Sequence, residues 1–322
     1  MSYGMDARIG LSFQNSYGTL SVSSLHWLEP TGESVDVKKA QITQEGMRGI
    51  YDDGRNQEGA NTVDGDVTIE AKPIPLGVLL SAAFNKISST ASGSIYSHLF
   101  RPRTADHSVP CAERPFTMMK FMGDVGSAHV YSDLCASQME LNISNGELLT
   151  AKMSVVGGSF SQSAAVAASY IAGDALDWSV SSITMGGTAK TTVREMSVSL
   201  DNAIEAQHTL GAATKYPTRI KRTGNRTVEV SGTLLFEDQT EFQQFISQTE
   251  QRLAVHLKGR SEIQSGYTES LLIDVPSFRF TEFPQAIGGP GQIEVSFSGA
   301  AKYNTGSGQS ISLTLVNTQS TY

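Results

Sequence analysis

The sequence predicts an all-β-dominated α+β fold, built from β-sandwich or barrel domains in tandem, each with a flanking α-helix. Short runs of alternating apolar and polar residues, bounded by Gly, Asn, Asp and Ser, recur along the whole chain. The two clearest stretches of helical periodicity each follow one of these runs directly. The order strand, helix, strand, hairpin, strand is met twice, which indicates an internal duplication.

Nine runs carry the strand pattern and predict a mostly antiparallel β protein. They are TLSVSSLHWLE near Thr19, DVTIEAK from Asp66, SQMELNIS from Ser137, AKMSVVGG from Ala151, REMSVSLD from Arg194, VEVSGTLLF from Val228, LAVHLKG from Leu253, SFRFTEF from Ser277 and IEVSFSGAAKY from Ile293. The paired glycines of TMGGTAK, Thr184 to Lys190, are typical of a turn between strands.

Two segments are predicted to be helices. PLGVLLSAAFN, Pro75 to Asn85, begins with a proline suited to a helix N-terminus, and DQTEFQQFISQTEQRL, Asp238 to Leu253, begins with a capping residue. Each has an apolar face. The faces consist of Leu76, Leu79, Leu80 and Phe84 in the first helix and Phe242, Phe245, Ile246 and Thr249 in the second.

The duplication predicts the domain boundaries. Aligning Gly65 with Gly232 superimposes TVDGDVTIEAK on VEVSGTLLFED, and a helix follows both. The β alternation stops in the small-residue stretch after Ser161. We therefore expect a first domain at residues 1–165, a linker at 166–177 and a second domain at 178–322. The first domain is expected to hold a long loop, 37–62, and a polar insert, 86–115; Ala203 to Asn225 is a comparable long segment in the second.

Composition excludes several classes of protein. Of 322 residues, 39% are hydrophobic and 17% charged, which indicates a folded, soluble protein. No secretory signal or membrane-spanning run is visible, so synthesis in the cytoplasm and no membrane partner are expected. The formal net charge of -8 argues against tight binding of nucleic acid. Cys111 and Cys135 have no metal-ligand spacing, and a reducing cytoplasm disfavours a disulfide between them.

Motifs for catalysis or cofactors are missing from the sequence. The six histidines are scattered, and neither a nucleophile elbow nor a phosphate-binding loop occurs. YDDGRNQEG, Tyr51 to Gly59, lacks the spacing of an EF-hand and indicates a solvated or ion-pairing interface loop. The basic run RIKRTGNR, Arg219 to Arg226, lacks the interleaved aromatic residues of a base-stacking surface. We expect a structural protein with no enzymatic activity, no metal and no cofactor.

One family resemblance stands out. The segment SSITMGGTAKTTVREMSVSLDNAIEAQHTLGAATKYPTRIKRTGNRTVEVSGTLLFEDQTEFQQFI resembles the tail tube proteins of long-tailed bacteriophages, in the order of an amphipathic strand, a loop with LG, a basic segment, a VSGTLLF strand and a helix. NTVDGDVTIEAKPIPLGVLLSAAFN resembles them more loosely. The resemblance implies subunits that join edge to edge, so that their sheets close into a barrel around a channel.

The resemblance also implies how the chain assembles. Two copies in one chain imply trimeric rings with pseudo-sixfold symmetry, stacked into the tail tube of the virion. The partners implied are further copies of the chain, the tape measure, tail terminator and tail tip proteins, and DNA that passes through the lumen without specific binding. An acidic lumen repels the DNA backbone and so favours passage over binding.

Three groups of site residues follow from these expectations. The loop expected to reach the next ring carries Asp52, Asp53, Arg55 and Glu58. Alternate positions on the two matching strands are expected to face the lumen, namely Asp66, Thr68 and Glu70, and Glu229, Ser231 and Thr233. The basic patch Arg219, Lys221, Arg222 and Arg226 is expected to contact another subunit.

Other functions stay open at this point. A carbohydrate-binding or adhesive β-sandwich of a tail tip or baseplate would have exposed tryptophans, whereas Trp27 and Trp178 are expected in the core. A hydrolase on a β scaffold and a head-completion protein share the β content and nothing more specific.

Overall fold

A computed structural model describes residues 4–22, 24–46, 49, 51–52, 54–84, 86–103, 114–123, 126–285 and 291–322. Strand residues make up 58% of it and helical residues 8%, so the prediction of an all-β-dominated fold is confirmed. The α-helices are α1 Pro73–Phe84 and α2 Thr240–Ile246, and short 3-10 helices occur at Gly4–Asp6 and Trp178–Val180. The strands are β1 Ala7–Phe13, β2 His26–Leu28, β3 Pro30–Glu33, β4 Asp36–Thr43, β5 Asn56–Glu70, β6 Lys86–Ser92, β7 Ile95–Arg101, β8 Phe116–Met122, β9 Ser127–Ser144, β10 Thr150–Gly157, β11 Ser159–Ala164, β12 Ser181–Met185, β13 Thr188–Lys190, β14 Val193–Asp201, β15 Ile204–Gln207, β16 Arg219–Arg222, β17 Thr227–Leu235, β18 Gln251–Gln264, β19 Tyr267–Glu282, β20 Glu294–Ala301 and β21 Ser312–Asn317.

One antiparallel sheet, which we call the spanning sheet, runs through both halves of the chain. Its strand order begins with β3 and β4, which follow one another along the same edge of β5, and continues with β5, β10, β9, β14, β17, β20 and the end of β19. The pairing of β9 with β14 joins the halves, and it extends from Glu195 opposite Ser144 to Asp201 opposite Gln138. The two halves therefore share one hydrogen-bonded sheet.

Two further groups of strands flank the spanning sheet. In the first half, the order is β2, β1, β8, the beginning of β9 and β11. The other group joins strands of the second half to the β6–β7 hairpin of the first, in the order β13, β12, β18, the beginning of β19, β21, β7 and β6. The long strands β9 and β19 thus contribute to a flanking sheet at one end and to the spanning sheet at the other. One large hydrophobic core includes residues of both halves.

The same pairings and the same irregularities occur in both halves. A β-bulge lies between Pro30 and Gly32 opposite β5, and another between Val193 and Glu195 opposite β17. The register of β9 with β10 shifts opposite Ser154 and Val155, and that of β19 with β20 shifts opposite Ser298 and Gly299. Bulges are specific local features of a strand pair, so their coincidence marks equivalent positions in the two halves.

These bulges place Thr68 in the position of Thr233, and therefore Val67 in the position of Gly232. The alignment of Gly65 with Gly232 is wrong by two residues. The physical reason is that side chains in a strand alternate with a period of two, so a slip of two leaves every residue on its own face. Alternation alone does not reveal such a slip.

The helices agree with prediction to different extents. Helix α1 begins two residues before the expected Pro75, and its side chains are buried on nearly every side. Helix α2 covers less than half of the predicted Asp238 to Leu253, because Gln248 adopts a left-handed conformation with φ 51° and β18 begins at Gln251. Phe242 and Phe245 pack against the core, whereas Ile246 is 59% exposed.

Two predicted irregular segments contain hairpins. Val37–Thr62, expected to be a loop, holds most of β4 and the beginning of β5, which pair with each other. The expected polar insert 86–115 contains the β6–β7 hairpin, and β7 pairs with β21 on its other edge. Both faces of the β4 hairpin are largely exposed, so its residues lack the apolar alternation that marks a strand in the sequence.

The remaining predictions near the turns and the linker have mixed outcomes. The turn expected within Thr184 to Lys190 is confirmed, because Gly186 and Gly187 connect β12 and β13 with φ of 59° and 83°. The run from Thr19 forms a strand only from His26. Residues 165–176 form no helix or strand, although Leu176 is buried. The division into two domains at the linker stays a prediction.

Candidate functional site

The side of the spanning sheet that points away from the core forms a continuous surface, which we call the polar face. Residues paired across neighbouring antiparallel strands point to the same side of the sheet, so the register defines this face. On its six central strands the polar members include Asp64, Asp66, Thr68 and Glu70 of β5, Thr150, Lys152 and Ser154 of β10, Gln138, Glu140, Asn142 and Ser144 of β9, Glu195, Ser197, Ser199 and Asp201 of β14, Thr227, Glu229, Ser231 and Thr233 of β17, and Glu294, Ser296 and Ser298 of β20. The apolar Val156 and Ala300 lie on the same side.

The polar face is acidic and rich in hydroxyl groups. On these six strands, eight members are carboxylates and one, Lys152, carries a positive charge; the edge strands add Asp36 and Glu282 and the cations Lys38 and Arg279. A row of small polar side chains crosses the sheet from Asn142 through Ser197 and Ser231 to Ser298. The excess negative charge repels a polyanion, and the short polar side chains offer few groups that bind it.

In the first half, Asp66 is held by two neighbours on the polar face. The Ser154 hydroxyl donates to Asp66 Oδ1 over 2.6 Å, and the Lys152 ammonium lies 3.1 Å from Asp66 Oδ2. The hydrogen bond from Ser154, followed by Lys152, holds the pKa of Asp66 below its usual value. Asp66 therefore stays ionised at neutral pH.

The six residues expected to face a lumen all lie on the polar face. Asp66, Thr68 and Glu70 alternate with the buried Val67 and Ile69 on β5. On β17, the set of Glu229, Ser231 and Thr233 alternates with the buried Val228, Val230 and Leu234 and with Gly232. Three strands, β10, β9 and β14, separate the two groups, so they form one surface without touching. Their position toward a channel stays a prediction.

A trough of about 360 Å³ on the polar face has Gly232 in its lining together with several hydroxyl groups, among them those of Ser231 and Ser298. A Cβ atom at Gly232 would lie 2.3 Å from the carbonyl oxygen of Glu195 and 2.9 Å from the Phe297 ring. Glycine is therefore required where β17 passes the bulge of β14. Gly232 is a close-packing position in the sheet.

Two hairpin arms project from the spanning sheet. The first arm consists of residues 36–62, with β4 and the beginning of β5, and the second consists of residues 204–222, with β15 and β16. Ile204 and Ile220 of the second arm pack with Val156 and the buried Cys135. Exposed apolar side chains lie on both arms; they are Ile42 and Tyr51 on the first and Leu210 on the second.

The two arms contact each other through three polar interactions. The backbone N–H of Asn61 donates to the carbonyl oxygen of Lys215 over 2.9 Å, and His208 Nε2 donates to the carbonyl oxygen of Asn61 over 3.1 Å. Lys215 also forms an ion pair with Glu58, and its hydrogen bond lowers the pKa of that carboxyl. The arms are therefore joined side by side.

The expected inter-ring residues lie along the first arm. Asp52 and Arg55 are at its exposed tip or next to it, and Glu58 faces Lys215 of the second arm. Asp53 lies outside the described residues. The structure thus separates Glu58 from the tip and engages it within the chain.

The basic residues of the expected patch lie in two places. Arg219, Lys221 and Arg222 belong to β16 of the second arm. The guanidinium of Arg226 instead donates to Asn202 Oδ1 over 2.8 Å and to the carbonyl oxygen of Arg103 over 2.9 Å. A contact of the patch with another subunit stays a prediction.

The tryptophans and cysteines differ from expectation. Trp27 is buried as expected, but Trp178 is 42% exposed and lines a groove of about 520 Å³ at the joint between the halves. Cys135 is disulfide-bonded, so the expectation of reduced cysteines is wrong for this residue. Cys111 lies outside the described residues. The reducing-compartment argument concerns the average protein and does not decide a single buried thiol.

Comparison with known proteins decides the family. The sequence profile of phage tail tube proteins matches residues 4–301, which include both halves of the spanning sheet and both arms. The chain belongs to the phage tail tube protein family. A search of curated proteins finds no match. As a tail tube protein, the chain is a structural component of the virion tail and assembles into an oligomeric tail tube together with other tail proteins.

Neither a metal-holding group of side chains nor a membrane-spanning helix occurs among the described residues. Among them, no three His, Cys, Asp or Glu side chains lie close enough together to hold a metal ion. None of the helices in the described part of the chain combines the length and the apolar character needed to span a membrane.

Proposed function

We propose that three copies of this chain form a ring with pseudo-sixfold symmetry, that stacked rings form the tail tube, and that DNA passes through it during ejection. The observation that carries this proposal is the spanning sheet, which passes from one half to the other through β9 and β14 without a break in its hydrogen bonding. A joint of this kind, repeated between chains, closes a sheet into a barrel and removes its free edges.

The strand count is compatible with a channel. Each chain contributes eight strand positions to the spanning sheet, if β3 and β4 count as one. Three chains then give about 24 strands, which at about 4.8 Å per strand and a tilt of about 40° enclose a barrel roughly 50 Å across between backbones. Barrels of about 16 strands already enclose an aqueous channel.

The polar face lines the channel in this proposal, because the opposite side of the sheet is packed into the core. Its excess of carboxylates keeps the DNA backbone from adhering, so the genome slides through. The role is structural, and no step of it calls for catalysis or a cofactor. The two arms extend along the tube axis and contact the neighbouring ring through their exposed tips.

Electron microscopy of the purified full chain tests the proposal. Rings or tubes with threefold symmetry and a central channel are expected. If the purified chain remains monomeric at high concentration and forms neither rings nor tubes, the proposed function is wrong.

The arm has a separate test. Residues 45–54 are replaced by Asn-Gly, which connects paired strands in a tight hairpin; Gln44 and Arg55 are already hydrogen-bonded neighbours. The variant is expected to form rings that stack poorly. Tubes of normal length would show that the tip of the first arm does not join rings.

A further inference from the structure

The spanning sheet ends in two edges of different character. On one side, β4 pairs with β5 and, within the described residues, with no other strand. On the other side, residues 279–282 of β19 pair with β20 alone among the described strands, whereas Phe278 also pairs with β18. Unpaired strand edges expose backbone donors and acceptors that bind another strand. The two edges are at opposite ends of the same sheet, so copies of the chain can pair in sequence.

The joint between the halves shows how such edges meet. There, β14 lies against β9, with Asp201 opposite Gln138 and Leu200 opposite Met139. Asp201 is on the polar face, whereas Leu200 and Met139 are buried in the core. One pair is polar and faces solvent, and the next is apolar and faces the core.

The matching bulges identify the corresponding residues at the free edges. Asp201 pairs with Thr227 of β17. The residue of β5 equivalent to Thr227 is Thr62, which pairs with Lys38. Lys38 therefore corresponds to Asp201. Val37 then corresponds to Leu200.

On the edge formed by β19, the residues of β9 and β19 are matched through the register shift that both strands contain. Gln138 pairs with Ser154 after the shift in β9, and Glu282 pairs with Ser298 after the shift in β19. Glu282 thus corresponds to Gln138, and Phe283 to Met139.

We propose that neighbouring subunits join through β4 of one and the end of β19 of the other, in antiparallel register, with Lys38 opposite Glu282 of the partner subunit and Val37 opposite Phe283 of the partner subunit. This inference rests on the proposed ring and adds the edges, the register and the residues that select it. The occupant of each edge is a second copy of this chain.

Charge and hydrophobicity agree with this register. Lys38 is positively charged and its side chain is 67% exposed, and Glu282 is exposed and negatively charged. In the free subunit, Lys38 pairs with Asp64 on the neighbouring strand, so at the seam it lies between two carboxylates. Opposite charges directly across an antiparallel pair stabilise it, whereas a register shift of one residue separates them onto opposite faces.

Helix α2 supplies a second, independent observation. At the joint inside the chain, α1 contacts β19 and β21 of the second half, and it is buried. Helix α2 holds the equivalent place at the free edge formed by β19, and there Ile246 is 59% exposed. A neighbouring subunit on this edge covers the exposed side of α2 as the second half covers α1.

A charge-exchange experiment tests the seam in the full chain. Glu282→Lys places two ammonium groups opposite each other, and Lys38→Glu places two carboxylates there. Each is expected to raise the protein concentration needed for half-maximal ring assembly by about threefold to tenfold, and the double variant to return it to within about threefold of the wild type. Analytical ultracentrifugation measures the assembly.

Glu262→Lys is the matched control, because Glu262 is an exposed residue at the other end of the β18–β19 hairpin. Glu262→Lys makes the same charge change as Glu282→Lys, and it is expected to leave ring assembly unchanged. Circular dichroism checks that each variant is folded. If wild-type rings form and both single variants assemble like the wild type, or the double variant does not recover, the seam is wrong. If the wild type forms no rings, the proposed function fails and the seam with it.

Disulfide trapping gives a second readout that does not depend on affinity. Subunits with Lys38→Cys and Glu282→Cys are expected to give covalent dimers and trimers on oxidation of assembled rings, since opposite residues of an antiparallel pair lie close enough for a disulfide. Lys39→Cys with Glu282→Cys points one side chain to the other face and is expected not to cross-link. Equal cross-linking of both pairs, or none in formed rings, contradicts the register.

Discussion

Helices α1 and α2 occupy equivalent places in the two halves, yet they differ in length and burial. Helix α1 has 12 residues, of which eleven are buried, whereas α2 has 7 residues and buries only Glu241. Helix α1 lies at the joint, between strands of its own half and strands β19 and β21 of the other. The difference shows that burial follows from position in the fold: the covered helix is apolar on all sides, and the uncovered one keeps a polar side.

The largest expected effect compares one apolar residue in each helix. Leu79→Ala removes a side chain that is 0% exposed and is expected to lower the free energy of unfolding by about 2–5 kcal/mol. Ile246→Ala removes one that is 59% exposed and is expected to change it by less than about 0.5 kcal/mol. Urea unfolding of the unassembled protein, followed by circular dichroism, measures both. Equal losses would show that the helices are not differently covered.

The next effect concerns the joint itself. Asn202 is fully buried; its Nδ2 donates to the carbonyl oxygens of Ala83 and Ala136 over 3.0 and 3.1 Å, and its Oδ1 accepts from Arg226. Asn202→Ala removes these bonds and is expected to cost about 1–3 kcal/mol of unfolding free energy. Lys39, which follows Lys38 as Asn202 follows Asp201, is exposed, so Lys39→Ala is the matched control with a change below about 0.5 kcal/mol. A loss for Lys39→Ala as large as that for Asn202→Ala would contradict the different roles of the two edges.

A smaller effect depends on pH and belongs to the β6–β7 hairpin, which only the first half contains. His98 is fully buried; Nε2 donates to the carbonyl oxygen of Gln319 over 2.8 Å, and Nδ1 accepts from the Ser89 hydroxyl over 2.7 Å. Burial lowers the pKa of His98, so the unfolded chain binds this proton first as the pH falls below about 6.5. The stability that neutral His98 contributes is present above that pH and is lost below it.

His98→Gln keeps a donor and an acceptor but does not titrate. Thermal unfolding between pH 7.5 and pH 5 is therefore expected to show a shallower loss of Tm in the variant than in the wild type. Parallel curves would mean that other groups cause the loss and that the hairpin adds no pH dependence of its own.

The smallest effect is expected at the contact between the arms. Lys215→Ala removes an ion pair in which both side chains are about half exposed, and exposed pairs contribute little to stability. No measurable change in Tm is expected, but the Asn61 amide, which donates to the Lys215 carbonyl oxygen, exchanges its hydrogen faster as the arms separate. Hydrogen exchange of Asn61 measures this. A Tm loss like that of Asn202→Ala would place the arm contact among the main stabilising contacts.

Individual elements show how much of the fold and site the sequence predicts. The strands with one buried and one polar side, such as β10, β14 and β17, are predicted well, because burial of one side imposes the alternation. The sequence does not predict strands β1 and β8, since four consecutive residues of each are buried and the alternation is lost. Strand β4 was predicted as loop for the opposite reason, because almost none of it is buried.

The candidate site follows the same division. The six polar-face residues on β5 and β17 could be selected from alternation alone, and the structure places all six on one side of one sheet. The link between Glu58 and Lys215 could not be selected, because the two residues lie 157 positions apart and no pattern marks a contact between two exposed hairpins. The same holds for Asn202, whose burial depends on the meeting of two distant strands.

By itself, the sequence determines which side chains face the core and which face solvent in the strands that alternate, and therefore the acidic character of the polar face. Hydrophobic burial requires that assignment, and the residue type at each position of the strand specifies it. The tertiary structure alone decides the register of the strands, the pairing of β9 with β14 and the edges left open for a neighbour. Backbone hydrogen bonds form equally well in registers two residues apart, so only the packing of bulges, glycines and distant strands selects one.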